Sequence, residues 1–193
     1  YIRMLSDEEL YKATLPFITK TGDAALEINV SDEFPAPHVG PEYSGIALGD
    51  DGEPVCVDTS MNMSSADVKK ALMELMPLIK ERLKYLTEAA EMVHFLFTEP
   101  AVPAADQIIP KKLDLAKTKE VLEASKEFVK ALPNLDHEGS EALAREMAEK
   151  LGVKLGDFMM PIRMAVTGSR VSPPLMGSIL ILGVERSLER IER

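Results

Sequence analysis

From Ser64 onward the apolar side chains recur at steps of three and four. Val68, Leu72, Leu75, Ile79, Leu83 and Leu86 make one stripe along an amphipathic helix, interrupted at Pro77. A second helix is predicted from Thr87 to about Phe97, and Pro100 and Pro103 mark a connection after it. Leu115, Leu122 and Val129, with Val121, Phe128 and Leu132, outline a further helix stopped by Pro133. Leu143, Met147 and Leu151 mark the next, closed by Gly152. Another starts near Gly156, carries Met160, Met164 and Val166, and ends near Gly168. Ser172-Pro173-Pro174 predicts a helix start with Ser172 as N-cap and proline in the first turn. Leu175 to Ile191 then read as one helix, or as two broken at Gly183.

Upstream of Ser64 the pattern differs. Ser6-Asp7-Glu8-Glu9 predicts a capping box and a helix running to about Lys20, ended by Gly22. Residues 29–60 are acidic and broken by Pro35, Pro37, Gly40, Pro41, Gly45, Gly49, Gly52 and Pro54. There Ile46 and Leu48 can face Val55 and Val57 across Gly49–Glu53 as a short β-hairpin, and a loop without strands fits as well. The expected architecture is all-α: two helical subdomains, residues 1–105 and 106–193, with an irregular insert at about 29–60.

The 193 residues carry a net charge of -10. A uniformly acidic surface would repel nucleic acid, but the charge is unevenly spread. Residues 1–60 hold 12 acidic and 3 basic side chains, against 20 and 19 in the rest. Pro161–Val184 contains Arg163 and Arg170 and no acid, so a local RNA contact stays open. The one cysteine, Cys56, rules out an internal disulfide and a cysteine-based zinc site, and fits a reducing, cytoplasmic setting. No apolar run approaches the ~20 residues of a membrane span, and no signal-peptide pattern opens the chain.

Chemistry of its own is hard to find. No glycine-rich loop follows a strand to cradle phosphates. His38, His94 and His137 have no ligand spacing, and Cys56 has no histidine nearby to activate it. Asp50, Asp51 and Glu53 read better as a solvated turn than as a calcium loop. These features describe a non-catalytic helical domain that uses no cofactor or metal.

The C-terminal stretch is more specific. Pro161-Ile162-Arg163-Met164-Ala165-Val166-Thr167-Gly168, then Ser172-Pro173-Pro174-Leu175, then Leu182-Gly183-Val184-Glu185-Arg186, follow the order P-[LI]-R-x-A-[LV]-T-G, [ST]-P-x-L, L-G-x-E-R. This series resembles the C-terminal end of bacterial glutamyl-tRNA synthetases. Arg82-Leu83-Lys84 through Phe95-Leu96-Phe97 is similar to a helix pair of the same family.

The resemblance implies an α-helical cage that binds the anticodon stem-loop of tRNA(Glu), as a monomer, joined in one longer chain to a catalytic domain that uses ATP and magnesium. Neither of that domain's ATP signatures, a helix-opening histidine-glycine or a lysine-serine-lysine loop, occurs here. By motif, Arg163 carries over as an arginine on an anticodon base, with Ser172 and Leu175 at the anticodon-facing helix start. A guanidinium can pair with a base edge or stack on it. Read without the motif, Arg163 better suits an ion pair within the bundle, and Ser172 plain capping, which is compatible with the motif reading.

Arg82 carries over as an arginine on its helix that helps select the third anticodon base, although with Lys80 and Lys84 it also fits a solvated helix face. The acidic insert is a departure from the family and is expected to face away from RNA phosphate. A free-standing helical adaptor for another protein is the alternative reading of the whole chain.

Overall fold

The computed structural model describes residues 2–20, 45–58 and 61–193. They form two compact units, Tyr1–Glu99 and Pro100–Arg193, each with its own core. Helices dominate both, as the periodicity predicts.

In the first unit, α1 (Asp7–Ile18) opens with the predicted capping box. Ser6 Oγ accepts the Glu9 N–H at 3.2 Å, and the Glu9 carboxylate accepts the Ser6 N–H at 2.7 Å. α2 (Ser65–Lys80) repeats the device with Ser64 and Asp67, and runs on through Pro77. Its stripe is the core of the unit: Val68, Leu72, Leu75, Met76 and Ile79 are fully buried, and Leu83 nearly so.

The carboxyls of Glu9 and Asp67 lie below their ordinary range. The cause for Glu9 is first its bond from the Ser6 backbone, and for Asp67 first its bond to the Ser64 hydroxyl. A depressed folded-state pKa means these caps hold above the unfolded value and are lost as pH falls through the folded one. A carboxyl-carbon NMR titration is expected to show both groups ionising at lower pH than the same residues in short unfolded peptides. Coincident titrations would remove the cap bonds.

Two expectations change here. The first helix ends at Ile18 rather than near Lys20, because Thr19 turns extended and starts a strand, β1 (Thr19–Lys20). The expected stop at Gly22 lies outside the described residues. The hairpin is present as β2 (Ile46–Leu48) and β3 (Pro54–Cys56), with Ile46 opposite Cys56 and Leu48 opposite Pro54. Val57 is not in the strand. β1 joins β2 in parallel, giving a small sheet in the order β1-β2-β3. The rest of the insert, 29–44 and 59–60, lies outside the described residues.

The predicted helix from Thr87 to Phe97 is also broken up. A 3-10 turn at Leu86–Glu88 leads into the short α3 (Ala89–Val93), and a second 3-10 turn follows at His94–Leu96. Phe95, Leu96 and Phe97 are consecutive and all buried.

The second unit packs the short α4 (Ala105–Ile108), then α5 (Leu115–Ala131), α6 (His137–Lys150), α7 (Leu155–Thr167), α8 (Leu175–Leu182) and α9 (Val184–Glu192). Asp114 and Asp136 cap α5 and α6, accepting the N–H groups of Lys117 and Gly139, each at 2.7 Å. The core joins Val121, Phe128 and Val129 of α5, Ala144 and Ala148 of α6, Phe158, Ile162 and Val166 of α7, and Ile179 and Ile191 of the last two helices. The break at Gly183 is real: its φ of 95° and ψ of 148° end α8 and begin α9.

Candidate nucleic-acid interface

The C-terminal motifs fold into one corner of the second unit. α7 presents Arg163, half-buried, in its last turns, and ends at Gly168 in the left-handed conformation. The chain then reverses through Ser169–Pro174 into α8. This reversal is bonded throughout. Thr167 Oγ1 donates to Arg163 O at 2.9 Å, and the Val171 N–H donates to Ser169 Oγ at 3.1 Å. Arg163 Nη1 donates to the Ser172 hydroxyl, to Pro173 O at 3.0 Å and to Ser172 O at 3.5 Å. The arginine thus clamps the strand of chain that leads into α8, and these bonds through one nitrogen hold its plane.

Ser172 differs from expectation. It is nearly buried and is not a helix N-cap: α8 starts at Leu175, with Pro174 in the cap position and no side-chain cap. The cause is the second proline. A residue preceding proline is pushed out of the helical region, so Pro173 cannot begin the helix and the start slips past Pro174. The Ser172 hydroxyl, freed from capping, serves the guanidinium instead and also donates to Pro173 O at 3.1 Å. The Leu175, Met176 and Gly177 N–H groups precede the first intrahelical bond of α8, from Ser178 to Pro174 O at 2.9 Å, and so lie at its positive end.

Leu175 is 3% exposed and packs in the core beside Ile179, one turn on. Its side chain secures the position of α8. The open apolar side chain of this corner is Val171, 64% exposed, next to exposed Arg170, whose Nη2 donates to Gln107 O at 3.3 Å. A lone valine between polar residues at a helix-to-helix reversal was the signal for it.

A second arginine missed by periodicity supports the corner from below. Arg190 of α9 is 3% exposed, and its Nη1 donates to Val166 O in the last turn of α7 at 2.7 Å. A cation at the negative end of a helix is favourable. Its spacing with Ser187 and Ile191 puts it on the buried face of α9.

Arg82 lies in the first unit. It is exposed and sits in the turn after α2, not on a helix as expected, since the helix ends at Lys80. Lys80 pairs with Asp7 at 3.6 Å. Asp51 and Glu53 are engaged locally: Asp51 accepts the Glu53 N–H at 3.0 Å, and Glu53 pairs with Lys69 at 3.1 Å. Among the described residues no group of three or more acidic, histidine or cysteine side chains could hold a metal ion, and no helix is long and apolar enough to cross a membrane.

The anticodon binding domain family matches residues 48–193, and the chain belongs to that family. It is 44% identical to a glutamate–tRNA ligase of Treponema denticola over its whole length, 41% to one of Treponema pallidum, and 34% to one of a Roseiflexus species. It spans about a third of these relatives, covering 35%, 33% and 31% of them. A crystal structure of a glutamate tRNA ligase from Elizabethkingia meningosepticum is similar to the whole chain at a TM-score of 0.49 and 17% identity, covering 29% of that chain.

Proposed function

We propose that this chain reads the anticodon of tRNA(Glu) on behalf of a longer glutamate–tRNA ligase. The match to the anticodon binding domain over residues 48–193 carries the reading. The geometry supplies a means. Arg163 is held in one plane by Ser172 and Pro173, at the positive end of α8. A guanidinium fixed in this way reads a base edge or stacks on a base without the loss of freedom that a mobile arginine incurs. The helix start favours a neighbouring phosphate. In this reading Leu175 acts by positioning α8, and Ser172 by positioning the guanidinium. Arg82 adds a contact from the first unit that favours one third base. ATP and magnesium belong to the remainder of the longer protein. The domain works as a monomer in the cytoplasm, where tRNA is charged.

Arg163→Ala is expected to weaken binding of tRNA(Glu) by about 1–3 kcal/mol and to narrow its preference over an unrelated tRNA. Arg163→Lys should recover little, because an ammonium cannot reproduce the planar fork. Fluorescence anisotropy at several salt concentrations checks both, with the parent losing affinity as salt rises. Equal affinity and preference in Arg163→Ala and parent would reject the role given to Arg163. Binding of both tRNAs alike by the parent would reject anticodon reading.

A further inference from the structure

The second unit holds a cleft of about 470 Å3 to which Arg163, Ser172 and Leu175 contribute nothing. Its floor is one face of α5, where Leu115, Lys119, Leu122 and Lys126 recur at steps of three and four. Residues 100–103, α4 and residues 190–193 at the end of α9 complete it. Packed interiors rarely leave a void of this size. It falls within the ~300–1,000 Å3 of small-molecule sites.

Apolar side chains make much of the lining. Val102 and Ile108 join Leu115 and Leu122, and Val102 and Leu115 are 58% and 51% exposed. Two large aliphatic groups left in water at one cleft favour an occupant with an apolar body.

The charges favour an anion. Lys119, Lys126, Arg190 and Arg193 line the cleft against two acids, Glu123 and Glu192. Both acids pair with Lys126, at 2.7 and 3.4 Å. Arg190 Nη1 donates to Val166 O at 2.7 Å, and Arg193 Nη2 to Pro100 O at 3.1 Å. Lys119 makes no ion pair among the described residues. It stands between Leu115 and Leu122 on the floor, where a lysine stem can lie along apolar surface and keep its ammonium at the rim.

We infer that this cleft binds a small carboxylate with an apolar body, the body resting on Leu115 and Leu122 and the carboxylate on Lys119. One lysine without a partner matches one negative charge. The site is independent of the tRNA reading, since none of the residues given to tRNA lines it.

Octanoate is the probe, with 1-octanol as its uncharged counterpart. Each is titrated into the 193-residue chain and followed by amide chemical shifts. Octanoate is expected to saturate, with its shifts centred on α5 and α9. Lys119→Ala is expected to lower octanoate affinity by about tenfold and to leave that of 1-octanol as it was. The Tm should not change, because Lys119 is exposed. Ala105→Trp, at an exposed position of the lining, should fill the cleft and weaken both.

Shifts scattered over the chain without saturation overturn the inference. So does 1-octanol binding as tightly as octanoate, which would leave an apolar hole with no preference for an anion. Octanoate affinity in Lys119→Ala within twofold of the parent removes the role of the lysine and the inference with it. Loss of tRNA binding in Arg163→Ala, or its absence in the parent, leaves these outcomes untouched.

Discussion

Phe158→Ala is expected to destabilise the second unit by about 3–5 kcal/mol, the usual cost of emptying a large aromatic site in a packed core. Phe158 is fully buried and meets Phe128 of α5 edge-to-face, with ring centroids 5.9 Å apart and planes at 77°. Its loss removes that pair together with the contacts that seat α7 against α5. The functional consequence follows from the chain. α7 also carries Arg163, so loosening its packing unfixes the guanidinium even though Phe158 need never approach RNA. Urea unfolding read by circular dichroism measures the first effect. Hydrogen exchange of the α7 amides shows whether the loss is centred there. Phe158→Leu, which keeps most of the volume, should cost clearly less. An unfolding midpoint for Phe158→Ala equal to that of the parent would mean that the α5–α7 interface does not carry the unit.

What the sequence made legible follows from the range of the interactions involved. Stripes such as Val68-Leu72-Leu75-Ile79 declare themselves within one helix, and so does the Ser6–Glu9 capping box. The pairing of β1 with β2 does not, because Thr19 and Ile46 are distant in sequence and neither segment shows a long alternating run. The 3-10 turns around Phe95-Leu96-Phe97 were hidden as well: the local sequence suggests one helix, and nothing within it marks the two breaks.

The candidate site was legible as a cluster and illegible as a set of roles. Motif order put Arg163, Ser172 and Leu175 in one stretch, and the fold brings them to one corner. Capping rules gave Ser172 to the helix, but Pro173-Pro174 moves the start of α8 and leaves the hydroxyl to the guanidinium. Leu175 reads as a surface contact by its place in the motif and as core by its spacing from Ile179. Its burial follows the spacing. Arg190, sealed against the end of α7, is the kind of residue that charge alone assigns to the surface.

Gly45→Ala is the other substitution expected to cost about 3 kcal/mol or more, here in the first unit. Gly45 enters β2 with a φ of +71°, where an L side chain is strained by roughly 1–2 kcal/mol. Space adds to the penalty. A Cβ at this position would lie 2.5 Å from Phe97 O and 2.5 Å from Thr98 Cγ2. The first of these is backbone, which cannot swing aside as a side-chain end can, and the same carbonyl accepts from the Cys56 thiol at 3.4 Å. Gly45 O in turn accepts the Val57 N–H at 2.9 Å, so a shift at residue 45 disturbs the hairpin closure as well.

Gly52, in the turn between β2 and β3, provides the control. Its φ is +77° but nothing lies within 4 Å of a Cβ built there, so Gly52→Ala should cost only the conformational strain, about 1–2 kcal/mol. The difference between the two variants isolates the close approach of Gly45 to the Phe97 carbonyl. Urea midpoints in which Gly45→Ala is no worse than Gly52→Ala would show that the hairpin and the Phe95–Phe97 segment can separate at little cost.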